Sequence, residues 1–225
     1  MNRVLGWHTW VGETGLRLFL LHVYWIGHTL LGGVVLGIFP ATAAVHAVIR
    51  RDLMAAREGG SGDPRGSLRE EFHRAWKQEF RQANTLGYTF VVMWALLLLD
   101  RRVLDSVDLG VGAPVLAGLL WLLTGFVFCM TAHVGALSAH FSEGVFALVR
   151  RSAVFVLARP LQAGLNAVIV AVVLCVYYVV PGLVPVFGLV VPTYLSFVYI
   201  WSTSVLPHGA RTEQADSSRA RVLVG

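Results

Sequence analysis

The chain has 225 residues, of which 56% are hydrophobic and only 14% charged. Soluble domains carry roughly 25% charged residues, so this sequence lacks the polar material for a water-facing surface, and lipid must cover much of it. The formal net charge of +5 falls in connecting segments, with no reading motif and no interleaved exposed aromatics, which argues against nucleic acid as a partner.

A helix that crosses roughly 30 Å of hydrocarbon needs about 20 mostly apolar residues. Before the first such stretch the sequence shows no short apolar core followed by a small-residue cleavage site, so the N-terminus reads as a lead-in to a membrane helix. The first span is expected over 16–39. One uninterrupted helix from Leu16 to Ile49 would be about 51 Å long, too long for the hydrocarbon even with tilt. Pro40 lacks an amide hydrogen and clashes with the preceding turn, so the helix should end or kink near Phe39 and the next one begin there. Ala41, Thr42 and Ala43 then offer a smooth surface for close helix packing, and Gly33 and Gly37 have GxxxG spacing, which serves the same purpose. Arg50 and Arg51 mark the exit into water.

Residues 52–67 are rich in Gly, Ser, Asp and Pro, the composition of an exposed loop. Ser67 and Glu70 have capping-box spacing at a helix start. Beyond them Leu68, Phe72, Trp76, Phe80 and Ala83 recur every three or four residues, with Arg69, Arg74, Lys77, Gln78 and Arg81 mostly on the other side. That pattern predicts an amphipathic cytoplasmic helix running without a breaker into a second span over 83–99. Its apolar face either packs on the protein's own helices or docks a partner or lipid headgroups.

Three further spans are expected over 111–133, 161–180 and 183–203, followed by a polar, aperiodic tail at 206–225. The fold class is therefore all-α: one polytopic membrane helix bundle, residues 1–205, with about five transmembrane helices and a cytoplasmic amphipathic helix. Lys and Arg number eight in 50–83, three in the connection after the third span and three in the tail, against four at Arg3, Arg17, Arg101 and Arg102. The rule that basic connectors stay inside predicts the cytoplasmic membrane, with the N-terminus outside and the C-terminus inside.

With this layout the chain resembles the YesL-like family of bacterial integral membrane proteins. The likeness rests on two blocks. The first is LHVYWIGHTLLGGVVLGIFPATAAVHAVIRR, through Gly37, Pro40, Ala41, Thr42 and Ala43. The second is EEFHRAWKQEFRQANTLGY, through Phe72, Ala75, Trp76, Phe80 and Gln82. His22 stands where the family usually has asparagine, and HVGALSAHF replaces a Tyr-x-Phe-Pro element. The resemblance implies a membrane component associated with uptake of complex sugars, with permease subunits as partners.

Polar residues inside a membrane are costly and often functional. His22, His28, His133 and His140 are the sharpest candidates, with His46 just past the corner. None of the pairs has the four-residue spacing of a helical metal site, and Cys129 and Cys175 form no ligand set. Hydrogen bonding between helices, or a reach into the interfacial zone, is therefore the expected role, with no metal and no cofactor. Gln162 and Asn166 are four apart and share a helix face, where they either line a polar path or brace a neighbouring helix. Glu143 reads as a carboxylate at the cytoplasmic boundary. No nucleophile elbow, phosphate-cradling loop or paired carboxylates are present, so the sequence predicts no catalytic residues and no enzyme. It predicts instead a non-enzymatic accessory membrane protein, with room for a homo-oligomer. The alternatives are a small stand-alone transporter or channel, and a membrane redox or metal-binding enzyme built on the histidines.

Overall fold

The computed structural model describes residues 2–57, 68–107, 110–141 and 143–203. Most of the 52–67 loop, the Ser67 cap and the 206–225 tail lie outside the described residues. Among those described the chain is all α-helical, without strands: α1 (Asn2–Leu31), α2 (Ile38–Arg57), α3 (Leu68–Ser106), α4 (Ala113–His140), α5 (Val145–Ala158), α6 (Pro160–Val179), the single turn α7 (Val184–Phe187) and α8 (Val190–Ser202).

The first apolar stretch breaks earlier than proline chemistry alone indicates. Helix α1 ends at Leu31, and Gly32–Gly37 forms the turn into α2, where Pro40 is the third residue. A proline in the first turn loses no helical hydrogen bond, so Pro40 starts a helix and the glycines end one. Gly33 (φ 71°) and Val34 (φ 63°) adopt left-handed backbone, which glycine tolerates freely and valine does not. A Cβ on Gly37 would collide with the Thr29 carbonyl, and one on Gly32 with Gly37 itself. The GxxxG spacing thus serves a turn rather than one face of a helix.

Helices α1 and α2 fold back on each other as a hairpin. Arg17 donates two hydrogen bonds of 2.6 Å to the Asp52 carboxylate, and Trp25 Nε1 donates to Thr42 Oγ1 at 3.1 Å. Arg51 reaches both Asp52 and Glu71, which ties in the start of α3. Arg17 therefore lies beside the 50–83 connector in the structure, whereas the charge count placed them on opposite sides.

Helix α3 confirms the expectation of a continuous element. Its 39 residues rise about 58 Å, carrying the amphipathic segment straight into the apolar one. Among the described residues three helices are long and apolar enough to cross a membrane: α3, the 110–140 segment containing α4, and α6. The last expected span is not straight. Its two parts, 181–187 and 190–202, are bent by 74° at Gly188, which has φ 34°. Counting that pair once gives up to four crossings where the sequence predicts five. Helix α1, which covers most of the first expected span, carries Arg17, His22 and His28 within its apolar run and stops at Leu31. Helix α5 is an addition: the connection between the third and fourth spans is itself a 14-residue helix, packed through Leu148 and Val156.

Two buried clusters hold the bundle. One joins Leu21 of α1, Val45, Val48 and Ile49 of α2, Phe72 of α3 and Phe197 of α8. The other joins Leu86 and Phe90 of α3, Met130 and Val134 of α4, Leu148 of α5 and Ala163 of α6.

Candidate functional site: the polar groups between the helices

Several polar side chains in the bundle end on a backbone carbonyl of another helix or turn. Around the α1–α2 turn, Asn84 Nδ2 donates to the Leu36 carbonyl at 3.0 Å and Tyr88 Oη to the Val35 carbonyl at 2.8 Å. Near the middle of α4, Ser152 Oγ of α5 donates to the Met130 carbonyl at 3.0 Å. The Ala132 carbonyl accepts from Asn166 of α6 at 3.4 Å and from Ser196 of α8 at 3.2 Å. Gln82 Nε2 donates to the Glu143 carbonyl at 2.7 Å. A free backbone acceptor in hydrocarbon costs several kcal/mol; the bonds to Val35 and Leu36 remove that cost in the turn, and those to Met130 and Ala132 add a second donor to carbonyls inside α4.

The amphipathic helix is divided in use. Phe72 is fully buried and Trp76 half-buried, both packed against the α1–α2 cluster, and Phe80 meets the Trp76 ring edge-on. That face belongs to the protein's own core. Arg74, Lys77 and Arg81 lie exposed along the other side. The small-residue corner is internal as well: Pro40, Ala41 and Ala44 are buried, and Thr42 holds Trp25. Ala43 is half-buried.

The histidines do not converge. His28 Nδ1 bonds the Tyr24 carbonyl and Nε2 meets His73 Nδ1 at 3.2 Å, among the rings of Phe72 and Trp76. His46 bonds the Thr42 carbonyl and fills the notch left by Gly135, where a Cβ would strike its ring. His133 is buried, holds the Cys129 carbonyl at 2.7 Å and packs on Phe155. His140 sits against Phe141 and Trp201. Among the described residues no three His, Cys, Asp or Glu side chains are grouped so as to hold a metal. Gln162 accepts from Arg159 at 3.3 Å while Asn166 is buried on the Ala132 carbonyl; the two do not form one polar path. Glu143 is ion-paired with Arg151, whose guanidinium lies 3.9 Å from the Phe141 ring centroid, a cation–π contact.

His22 is the exception. It is 3% exposed, stacks on Trp25 and rests on Gly188, where a Cβ would run into the imidazole. Its Nδ1 has no hydrogen-bond partner. It borders a cavity of about 590 Å³ between α1, α6 and the α7–α8 bend, whose other walls include Trp25, Leu174, Tyr177 and Tyr178. Sequence reasoning picked out His22 but not this cavity, since a partner 166 residues away at Gly188 leaves no local pattern; the Gly188 position in an otherwise apolar span was the one available signal.

Residues 18–101 match the family described as "Protein of unknown function, DUF624". The chain is 29% identical to YesV of Bacillus subtilis (strain 168) over 181 residues, 78% of this chain and 81% of YesV. It is 30% identical to YesL of the same organism over 167 residues, 74% of this chain and 73% of YesL. It is 27% identical to YteU, again from that organism, over 97% of this chain and 94% of YteU. All three relatives are described as uncharacterized proteins. No solved structure matches. The identity to YesL across most of both chains, together with the matched turn and amphipathic helix, places this all-helical chain with its membrane-type helices in the YesL-like DUF624 family.

Proposed function

We propose that the protein is a non-enzymatic accessory component of the cytoplasmic membrane, working beside the permease subunits of a carbohydrate uptake system. The observation that carries this reading is the placement of polar side chains. Asn84, Tyr88, Ser152, Asn166 and Ser196 are each engaged with a backbone carbonyl of a neighbouring element, an arrangement that supports rigidity more than turnover or conduction. The apolar outer faces remain for lipid and membrane partners; on α6 they include Leu161, Leu165, Val168, Val172, Val176 and Val179, all exposed. The link to sugar uptake comes from the family resemblance.

The basic connectors lie on the cytoplasmic side in this reading. The Arg17–Asp52 pair favours an N-terminus on that same side, with four crossings made by α3, α4, α6 and the bent α7–α8 pair and both termini inside. Single cysteines replacing Asn2 and Ser61, in a chain with Cys129 and Cys175 changed to serine, should both resist a membrane-impermeant maleimide in intact cells. Labelling at position 2 with protection at 61 would restore the outside N-terminus.

The accessory role is tested by purifying the tagged protein in mild detergent from cells induced with complex sugars. Permease subunits should co-purify in fixed proportion; recovery of the chain by itself would overturn the proposal. Flux of sugars or ions into vesicles holding only this protein, above that of empty vesicles, would favour the stand-alone transporter instead.

A further inference from the structure

The turn between α1 and α2 is built for a setting other than water. From Leu30 to Phe39 no side chain carries a charge or a hydrogen-bonding group, whereas turns in water favour Asn, Asp, Ser and Pro. Leu30, Leu31, Val34, Val35 and Leu36 are each at least half exposed. The backbone beneath them is occupied. The carbonyls of His28, Thr29, Leu30, Gly33 and Val34 accept amide hydrogens within the turn, and those of Val35 and Leu36 accept from Tyr88 and Asn84 of α3. Irregular backbone at membrane depth must have its polar groups met by protein, and these carbonyls satisfy that demand while the side chains face outward.

Two distances along the helices give the depth of the turn. From Arg17, ion-paired with Asp52, α1 rises about 21 Å to Leu31, short of the roughly 30 Å of hydrocarbon. The hairpin is therefore too short to carry its tip from that ion pair across a bilayer. Helix α3 holds the turn at Asn84 and Tyr88 and belongs to the membrane-length helices. From Tyr88 it rises about 20 Å to Arg101, the first cation beyond its apolar run. With Arg101 at one edge of the hydrocarbon, the turn lies about 10 Å inside the other edge. The first distance then leaves Arg17 and Asp52 about 10 Å outside that edge, in the headgroups and water.

We propose that α1 and α2 form a re-entrant hairpin whose apolar tip docks among the acyl chains of one leaflet and does not cross to the other. The tip meets lipid at the level where α3 begins its own lipid-facing run, exposed at Val91, Val92 and Leu96. The hairpin displaces acyl chains from that leaflet alone. Entry from the cytoplasmic face rests on the placement of the basic connectors proposed above. The depth of the tip does not, because it follows from helix lengths and from the bonds between the turn and α3.

The test attaches a nitroxide to Val35→Cys in the full chain, with Cys129 and Cys175 changed to serine, in phosphatidylcholine nanodiscs. Power saturation compares collisions with oxygen, which concentrates in hydrocarbon, and with a water-soluble nickel chelate. Labels on Val92→Cys, about 14 Å from Arg101, and on Arg74→Cys supply the mid-membrane and aqueous references. At position 35 oxygen collisions should dominate, with a depth of about 10 Å, between the two references. Leu31→Cys, on the other side of the turn, should agree, which guards against a local distortion at 35. Nickel access at both positions would overturn the proposal. So would exclusion of both reagents, the sign of a protein cover, with dipolar broadening where that cover is a second copy. Maleimide labelling of position 2 in intact cells would overturn entry from the cytoplasmic face, and the nitroxide depth is read independently of it.

Discussion

Two apolar stretches of this protein are interrupted, at Gly32–Gly37 and around Gly188, and the interruptions are handled differently. At the first, the exposed carbonyls of Val35 and Leu36 each receive a side-chain donor from α3, and Gly37 packs directly on the Thr29 backbone. At the second, the glycine packs on a side chain, the His22 ring, and a cavity lies alongside. The membrane forbids irregular backbone that faces lipid without hydrogen-bond partners. One break meets that rule by bracing and the other by enclosing a space. The first is fixed by donors from α3, and the second by the close approach of Gly188 to the His22 ring.

The contrast can be broken most severely at Gly37. A Cβ there meets backbone atoms of Thr29 that have no freedom to yield, so Gly37→Ala should destabilise the protein by about 3 kcal/mol, the upper end of overpacking costs. Denaturant unfolding in micelles measures it, and a loss under 1 kcal/mol would show that the turn is not as tight as described. At Gly188 the obstacle is a side chain, though the left-handed φ adds a cost of its own. Gly188→Ala should cost about 2 kcal/mol. Combining it with His22→Ala, which vacates the space, should recover about half of that loss in a double-mutant cycle. Additive losses would separate the bend from the histidine.

The sequence carried the fold class because composition and span length act locally. Period-3.6 patterning from Leu68 to Ala83 and the absence of a breaker predicted α3 as one helix, and it is one. The histidines were visible as polar residues in apolar runs, and their scatter over separate contacts follows from their mismatched spacing. What stayed hidden depended on distant pairs. The Arg17–Asp52 pair crosses 35 positions and moves Arg17 to the side of the 50–83 connector, which no residue count can register. Phe72 and Trp76 formed an amphipathic face in sequence whose target, the α1–α2 hairpin, appears only in three dimensions. Proline's covalent effect predicts the break at Pro40, yet Pro40 sits in the first turn of α2 and the adjoining glycines end α1.

Milder changes sharpen the picture of the braced turn. Asn84 donates both to Leu36 across the turn and to Phe80 within α3, at 3.0 and 2.8 Å. Asn84→Ala leaves the Leu36 carbonyl without that donor and should cost about 1–2 kcal/mol. Tyr88→Phe is the smallest step, since it removes one hydroxyl and keeps the ring that meets Phe39 edge-on. Interhelical hydrogen bonds in membranes are worth about 0.6 kcal/mol on average, and a loss of that size is expected here. Because both donors serve adjacent carbonyls, the two losses should be coupled, and the double variant should lose more than their sum. Strict additivity would mean that each carbonyl finds its own replacement donor, and the turn would then be held by its glycine packing without the help of α3.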